Sequence, residues 1–494
     1  MRNNFYALFA CYYMKNTYIR LLFFSSVFPL LLMVNGCTKE SPAPAVVVPV
    51  VTTTGIPINV TSTTAQSGGV ITSVGGALII ENGVCYSSTD QTPTLSDSVA
   101  KAPVANANIY QPTFVCNLTN LTKNTVYYLR AYATNSAGTG YGSVVTFTTA
   151  TNLSAVNVNV KTFAGNGMPG YMDGAGPGAQ FKNPQGVAVD AYGNVYVSDT
   201  YNNYIRKITP AGATSTIAGN GNIGYLNGTG ASSEFYAPAG LTFDGHGNLY
   251  AADVGNNSIR EITPDSVVTT YVGTGQAGYN DGADPLYVYF NNPTGAAFDN
   301  NGNMYIADRG NNVIRKITAN NVSSTFAGVH TAGYLDATGT AAYFNKPTAV
   351  TVDSAGNVYV ADEGNNAIRK ITPAGVVTTI AGGPSQPDLI NLPSGITIDK
   401  QGNLYITDEG GRVLEYTTNN TLYILAGSPN TTGFANGSGA TATFNLPQGI
   451  ALDASGNIYV ADQGNNCIRQ LTISTVQVQP PSSVKLQDKR NTGK

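Results

Sequence analysis

From about residue 156 to residue 479, short runs of Val, Ile, Tyr and Thr alternate with turn-forming Gly, Asn, Asp and Pro. No helical spacing of apolar residues interrupts this pattern, which predicts β-strands joined by tight turns. The runs come in sets of four, and an Asp closes the second run of each set, at Asp199, Asp253, Asp308, Asp362, Asp408 and Asp462. These positions lie 54, 55, 54, 46 and 54 residues apart. Repeats of this size cannot bury their own apolar faces and must stack.

Four antiparallel strands repeated six times predict a radial array with only short sheet edges, a six-bladed propeller. A strand-like segment at 160–165 precedes the first complete repeat, and the last repeat has only its first three strands. We therefore expect the N-terminal strand to complete the last blade, although residues 476–478 compete for that place.

The phrases Pro-x-Gly-Ile-Ala-x-Asp, Gly-Asn-Ile-Tyr-Val-Ala-Asp and Asn-Asn-x-Ile-Arg, between Pro447 and Arg469, resemble NHL repeats. The resemblance covers residues 156–479 and implies a six-bladed NHL β-propeller, assigned to 151–479. NHL propellers are known mainly as binding scaffolds for proteins, RNA or glycans, and a minority of similar propellers are lyases or lactonases.

Residues 53–150 also predict strands, but without the 54-residue repeat. The stretch from Leu118 to Gly138 resembles the second half of a fibronectin type III domain, and Thr125-x-Tyr127 fits its tyrosine corner. The predicted fold class is therefore all-β: a six-bladed NHL β-propeller preceded by a fibronectin type III-like β-sandwich.

The N-terminus predicts export. Arg20 precedes an apolar run from Leu21 to Met33, which is short for a membrane span. Val34-Asn35-Gly36-Cys37 then resembles the lipobox of bacterial lipoproteins, which implies cleavage before Cys37 and its lipidation. An ordinary secretory signal is the alternative, and Met14 is an alternative start.

The resulting organisation is a signal peptide at 1–37, a tether at 38–52 and, after the propeller, a basic tail at 480–494. Thr38, in place of the Asp that retains lipoproteins in the inner membrane, favours the outer membrane. Lys39-Glu40 weakly resembles the signal that exports Bacteroidetes lipoproteins to the cell surface. Cell surface and periplasmic face both stay open.

Charge and chemistry narrow the function. The formal net charge is −3 with 11% charged residues, and no basic patch favours nucleic acid.

Two histidines, His246 and His330, are too few for a multi-His metal site, so no cofactor, metal or catalytic residue is predicted. Cys85 and Cys116 are either a disulfide or buried free thiols. An Arg follows the repeat's Asp by seven residues in five repeats, which predicts strand-locking ion pairs more than an acidic calcium ring.

The loops between repeats are long and alike. Each contains Gly, an aromatic residue and Asp or Asn, with the aromatics at Tyr171, Tyr225, Tyr279, Tyr334 and Phe434. These side chains are candidates for ligand binding on one face of the propeller. The alternative is that they fill the seams between blades, since the pattern recurs in every regular repeat.

The fifth repeat is irregular. Its crossover from Gly382 to Pro393 spans 11 residues, whereas the one from Gly328 to Pro347 spans 19. One hypothesis is that this gap opens a ligand notch; the alternative is neutral erosion of one repeat. The residues predicted to border the notch are Tyr334, Glu409, Arg412 and Phe434.

These observations favour a lipid-anchored cell-envelope binding or scaffold protein that uses its propeller loops to bind a glycan or a protein. The membrane contact would be made through the lipid anchor. A calcium-dependent hydrolase or lyase of the lactonase type is the first alternative. A purely structural envelope protein is the second.

Overall fold

The computed structural model describes residues 45–55, 57–102, 112–149, 154–384, 386, 389–429 and 431–477. The predicted signal peptide with Cys37, most of the tether and the basic tail lie outside the described residues. The described residues form antiparallel strands and short 3-10 turns, so this part of the chain is all-β. None of its helices is long and apolar enough to cross a membrane.

The described residues between 46 and 149 form two antiparallel sheets that share one apolar core, here called the sandwich. The first sheet has the order β1 (Val50–Thr53), β2 (Ala65–Ser73) and β5 (Thr113–Leu118). The second has the order β4 (Ser98–Lys101), β3 (Glu81–Ser87), β6 (Val126–Asn135) and β7 (Gly138–Tyr141), and β8 (Val145–Thr148) also pairs with β6.

Alternation of apolar and polar residues places the sandwich core. In β5, Phe114, Cys116 and Leu118 are buried while the residues between them are exposed, as expected for a strand with one face on a core. The backbone N–H of Thr122 donates to the Tyr127 hydroxyl at 2.9 Å. The first strand begins at Val50, three residues before the predicted boundary.

The described part of 154–477 forms six further sheets, each with four main strands, here called ring sheets 1 to 6. The main strands are given from the inside of the ring outward: sheet 1 has β11 (Val187–Val189), β12 (Val195–Asp199), β13 (Tyr204–Ile208) and β14 (Ala213–Ala218), and sheet 2 has β16 (Pro238–Phe243), β17 (Leu249–Asp253), β18 (Ser258–Ile262) and β19 (Val267–Val272). Sheet 3 has β20 (Pro293–Phe298), β21 (Met304–Asp308), β22 (Val313–Ile317) and β23 (Ser323–Ala327), and sheet 4 has β24 (Pro347–Val352), β25 (Val358–Asp362), β26 (Ala367–Ile371) and β27 (Val377–Gly382). Sheet 5 has β28 (Pro393–Ile398), β29 (Leu404–Asp408), β30 (Arg412–Tyr416) and β31 (Leu422–Ala426), and sheet 6 has β33 (Pro447–Leu452), β34 (Ile458–Asp462), β35 (Cys467–Gln477) and β9 (Ser154–Ala164).

Short elements complete the ring. Three two-residue strands add to the outer edges of sheets 1, 2 and 6: β10 (Gly174–Ala175), β15 (Gly228–Thr229) and β32 (Gly437–Ser438). The 3-10 turns after the second strands are Thr200–Asn202, Val254–Asn256, Arg309–Asn311, Glu363–Asn365 and Gln463–Asn465, and those within crossovers are Gly176–Gly178, Gly230–Ser232, Pro285–Tyr287 and Gly339–Ala341.

Sheet 6 is built from both ends of the ring. β9 pairs with β35 from Ala164 opposite Ile468 to Ser154 opposite Gln477. The N-terminal strand is therefore the outer strand of the last sheet, as expected, and Val476 and Gln477 extend the third strand instead of competing for the fourth. The innermost strands also contact one another in order and close the circle through β33 and β11.

The glycine of the Pro-x-Gly phrase is required by close approach between neighbouring sheets. A Cβ atom on Gly240 would overlap the carbonyl oxygen of Thr294, and one on Gly449 would overlap that of Gln185. The backbone N–H of Gly449 donates to Gln185 at 2.8 Å. Small residues at this position let the first strands of adjacent sheets touch.

The apolar clusters lie between neighbouring sheets. One cluster joins residues of sheets 1 and 2 around Phe235, and another joins sheets 3 and 4 around Phe344. The phenylalanines that end the crossovers, Phe181, Phe235, Phe290, Phe344 and Phe444, are fully buried, and Ile390 takes the equivalent place before sheet 5. These residues fill the seams that the repeat needs to bury.

The sandwich docks on the outer edge of ring sheet 5. Ile58 forms a parallel bridge with Leu422 of β31, and the N–H of Asn59 donates to the Leu422 carbonyl at 3.3 Å. Ile58 packs against the apolar cluster of sheets 4 and 5, while Tyr423 packs against the sandwich core.

In the other ring sheets this outer edge is covered by the sheet's own crossover. Gly174 and Ala175 pair with β14, and Thr338 pairs with Val376 beside β27. Ring sheet 5 has lost that crossover segment, and residues of the sandwich pair with the edge in its place. Pairing an edge strand removes a template for aggregation.

Candidate functional site

The crossover segments that recur from repeat to repeat are held by a buried arginine in the third strand of each regular sheet. In sheet 2, Arg260 donates to Asp253 at 2.9 Å, to the Leu226 carbonyl at 3.0 Å and to the Asn227 side chain at 2.8 Å. The five Asp–Arg pairs of this kind are fully buried: Asp199–Arg206, Asp253–Arg260, Asp308–Arg315, Asp362–Arg369 and Asp462–Arg469. The predicted strand-locking pairs are confirmed.

Two aromatic rings of the crossover approach each of four arginines, with 4.9 to 5.5 Å between the guanidinium carbon and the ring centroid. These sets are Tyr225 and Phe235 on Arg260, Tyr279 and Phe290 on Arg315, Tyr334 and Phe344 on Arg369, and Phe434 and Phe444 on Arg469. Cation–π contact of this kind stabilises the crossover. Four of the predicted ligand-binding aromatics thus have a structural contact, and their role in binding stays a prediction.

Tyr171 differs from its counterparts. Its ring faces Tyr204 at 6.4 Å between centroids, and 67% of the residue is exposed. Arg206 has only Phe181 as an aromatic contact within the described residues. Tyr171 is therefore the predicted aromatic that is freest to meet a partner.

The Asn-Asn phrase joins the turns to the crossovers and the sheets to each other. Asn256 donates to the Gly224 carbonyl at 2.7 Å and to Asp253 at 2.8 Å. Asn257 has a left-handed φ of 47° and accepts a hydrogen bond from the N–H of Asn292 in the next repeat. Turns and crossovers therefore share one face of the ring, here called the loop face.

The residues predicted to border a notch have separate environments. Arg412 is buried and forms an ion pair with Asp408, so it replaces the arginine that the fifth repeat lacks at Leu414. Its guanidinium also donates to the Leu389 carbonyl at 3.3 Å. Glu409 instead lines the central cavity. Tyr334 lies on Arg369 and Phe434 on Arg469.

The loop face opens at its centre into a cavity of about 370 Å³. Two positions of every repeat line its mouth. One is the residue after the Pro that starts the first strand: Gln185, Ala239, Thr294, Thr348, Ser394 and Gln448. The other is the residue after the closing Asp: Thr200, Val254, Arg309, Glu363, Glu409 and Gln463.

Several hydroxyls at the mouth are used to join sheets. Thr294 donates to the Thr348 carbonyl at 2.7 Å, Thr348 to the Pro393 carbonyl at 2.9 Å, and Ser394 to the Pro447 carbonyl at 2.7 Å. These bonds fix the wall of the cavity. The carboxylates and carboxamides that line the mouth take no part in these bonds.

The charges lie on one side of the mouth. Arg309 makes a two-point ion pair with Glu363, with its closest N–O distance at 2.8 Å. Glu409 accepts a hydrogen bond from the Gln448 amide at 3.2 Å. Partial burial raises the pKa of Glu409; Gln448 and Arg309 lower it, and Glu363 and Asp408 add repulsion that raises it further. Among the described residues, Glu409 is the carboxylate at the mouth that is bonded to a neutral amide and forms no ion pair.

The sequence predicts Glu409 at a notch and does not predict the other residues of the mouth. The signal was present: the residue after the closing Asp changes in every repeat except between the fourth and fifth, while the Asp before it recurs in all six repeats and the Asn-Asn after it in five. Functional groups break a repeat's symmetry in this way.

Other candidate groups are placed away from this mouth. His246 is exposed in a hairpin turn with its Nδ1 3.7 Å from Asp244. The rings of His330 and Tyr279 are tilted by 34° with their centroids 5.0 Å apart. Cys85, Cys116 and Cys467 are buried free thiols, and burial raises the pKa of Cys116 to about 12. Within the described residues there is no group of three or more His, Cys, Asp or Glu placed to hold a metal ion.

Comparison with known proteins agrees with the repeat seen in the fold. Residues 181–208, 344–371 and 444–471 match the family model of the NHL repeat. The chain carries NHL repeats on a β-propeller. Each matched segment begins at the seam phenylalanine. The first two end with the third strand of their ring sheet, and the last ends at Leu471 within β35.

Two curated relatives are similar over about two thirds of the chain. Protein SUPPRESSOR OF QUENCHING 1 of Arabidopsis thaliana is 27% identical over 345 residues, which cover 64% of this chain and 28% of that protein. Human NHL repeat-containing protein 2 is 27% identical over 358 residues, covering 65% of this chain and 43% of that protein. The chain spans less than half the length of either relative.

Among solved structures, a protein of unknown function from Bacteroides thetaiotaomicron is similar with a TM-score of 0.52 and 17% identity. The match covers 86% of this chain and 98% of that protein. At this sequence identity the likeness concerns the fold alone.

Proposed function

We propose that this protein binds a glycan or a protein ligand on the loop face of a six-bladed propeller. The observation that carries the proposal is the open mouth at the centre of that face. There, a ring of otherwise regular repeats presents a different side chain from almost every sheet. Regular positions serve the fold, and irregular positions gathered around a cavity are those expected to select a ligand.

The six ring sheets are taken as the six blades. Their first strands contact one another in a closed circle, and the first and last strands of the ring pair in sheet 6. A ring closed in this way gives a rigid frame for the groups at the mouth.

The sandwich is proposed to be fibronectin type III-like and to serve as a mount for the propeller. Its two sheets and the hydrogen bond from Thr122 to the Tyr127 hydroxyl support this assignment. Docking on ring sheet 5 through Ile58 supports the role of the sandwich as a mount.

The protein is further proposed to be an outer-membrane lipoprotein anchored through Cys37, facing the cell surface or the periplasm. The apolar run before Cys37 and the lipobox-like residues support this proposal. Metabolic labelling with an alkynyl fatty acid tests it directly: the wild-type protein should incorporate the label and a Cys37→Ala variant should not. An unlabelled wild-type protein would contradict the anchor.

Binding is tested by applying the purified full-length protein to glycan and peptide arrays, with calcium and with EDTA. We expect one ligand class to bind in both conditions, and a Glu409→Gln variant to bind less. Binding that requires calcium, together with turnover of a sugar lactone, would favour the hydrolase or lyase alternative. Blank arrays in both conditions would favour a structural envelope protein.

A further inference from the structure

The mouth of the cavity carries charged side chains on one side and uncharged side chains on the other. Arg309, Glu363, Glu409 and Gln463 come from neighbouring sheets 3 to 6. Among the described residues, sheets 1 and 2 contribute only uncharged side chains: Gln185, Thr200, Ala237, Ala239 and Val254, with the exposed ring of Tyr201 at the rim. A ligand that fits both sides has hydrogen-bonding groups along one edge and an apolar face.

The charge at the mouth disfavours an anion. Arg309 is occupied by its two-point contact with Glu363, so it does not offer a free cation. Glu409 has the Gln448 amide as its hydrogen-bond donor and no ion pair among the described residues. The local balance of one arginine and two glutamates favours a ligand that donates hydrogen bonds and carries no negative charge.

The deeper part of the cavity differs from its mouth. Beyond the polar mouth, the cavity is lined by small and aliphatic residues of the first strands: Gly186, Val187, Gly240, Leu241, Gly395 and Ile396. Its volume of about 370 Å³ lies within the range of about 300–1,000 Å³ that small-molecule pockets occupy. One or two sugar rings are ligands of this size and mixed polarity.

We infer that the cavity binds the end of a neutral saccharide, with hydroxyl groups donating to Glu409 and hydrogen-bonding to Gln448, and the apolar face of a ring near Tyr201. This inference rests on the proposed function and specifies both its site and its ligand class. Glu363 and Arg309 position each other and keep the second carboxylate from the ligand. Glu409 is thereby the main acceptor for the sugar.

The test uses the full-length protein and saturation-transfer NMR with the methyl glycosides of glucose, galactose, mannose, xylose and N-acetylglucosamine. We expect at least one of them to bind, and Glu409→Gln to weaken its binding at least tenfold because a charged acceptor is lost. Tyr201→Ser should also weaken it. The matched control is Asp265→Asn, which removes one carboxylate from an exposed turn outside the cavity. Melting temperatures within a few degrees of wild type show that the variants are folded.

The outcomes separate the site, the ligand class and the proposed function. Sugar binding that Glu409→Gln leaves unchanged overturns the site. Binding of methylammonium or of peptides, with none of the glycosides bound, overturns the saccharide class but leaves a binding protein. Failure of the glycosides together with blank glycan and peptide arrays overturns both the inference and the proposed function.

Discussion

Ile58 of the sandwich pairs with Leu422 on the outer strand of ring sheet 5, where a crossover residue stands in the other sheets. The eight residues missing from the fifth crossover thus coincide with the place where another part of the chain docks. The sandwich occupies the strand edge that the short crossover leaves uncovered. Neither the notch hypothesis nor the hypothesis of neutral erosion predicted this contact.

Replacing Ile58 with Asp is expected to release this contact. The change removes a half-buried aliphatic side chain and puts a charge against the cluster of sheets 4 and 5, at a cost of about 1–3 kcal/mol. Calorimetry should show a lower melting temperature, and limited proteolysis should separate the sandwich from the propeller more readily. Ile80→Asp, at an exposed position of the sandwich, is the control and should do neither; equal effects of the two variants would contradict docking.

Replacing Arg260 with Met is expected to destabilise the propeller strongly. Asp253 would stay buried without its cation, and breaking a buried pair in this way costs about 3–5 kcal/mol. Chemical denaturation measures the free energy of unfolding. Lys161→Met, on the exposed face of β9, is the control for loss of a positive charge. A variant of Arg260 as stable as the control would show that the pair is dispensable.

Tyr225 and Tyr171 occupy the same place in successive repeats but have different contacts. Tyr225→Ala loses the ring on Arg260 at 5.0 Å, which should lower the free energy of unfolding by about 1–2 kcal/mol. Tyr171→Ala should change it by less than about 0.5 kcal/mol, as for an exposed residue. If both variants are equally destabilised, the crossover aromatics do not act through the arginines.

Gly240→Ala tests the close approach of the first strands. The added Cβ would overlap the Thr294 carbonyl, so sheets 2 and 3 must move apart at a cost of about 1–3 kcal/mol. Gly245→Ala is a matched control, because a Cβ there meets nothing within 4 Å. Thermal unfolding of the two variants compares them, and a stable Gly240→Ala would mean that the inner circle tolerates expansion.

Binding at the mouth should weaken in acid. Burial raises the pKa of Glu409, so as pH falls its carboxylate takes up a proton at a higher pH than an ordinary glutamate and accepts hydrogen bonds less well. Glu363, Arg309 and Asp408 are the charged neighbours that contribute. Affinity measured from pH 7 to pH 4 should fall for the wild type and stay flat for Glu409→Gln. A parallel fall in both proteins would assign the effect to another group.

Much of the propeller could be predicted because the same pattern of strand and turn residues recurs six times in the sequence. The seven-residue spacing from Asp253 to Arg260 predicts their pairing, and the early strand at 160–165 predicts how sheet 6 closes. The candidate site could be predicted less well from the sequence. Glu409 and Arg412 are three residues apart and were grouped together, but the tight turn between them sends Arg412 back to Asp408 and leaves Glu409 at the cavity.

The docking of the sandwich could not be predicted from the repeat. The short crossover shows that residues are missing, but Ile58 and Leu422 are distant in sequence and neither belongs to a distinctive phrase. The contact depends on the shapes of two folded parts, which local patterns do not encode.

The pairing of β9 with β35 also sets an order for biosynthesis. β9 leaves the ribosome before the other ring strands, yet its partner is the last strand of the ring, and the Ser474 hydroxyl bonds Asn157 across 317 residues. The ring therefore cannot close until translation of its final strand is complete, and contacts of such high sequence separation form slowly. Until then the edge of β9 that faces β35 is unpaired, and an exposed strand edge of this kind favours aggregation of the incomplete chain.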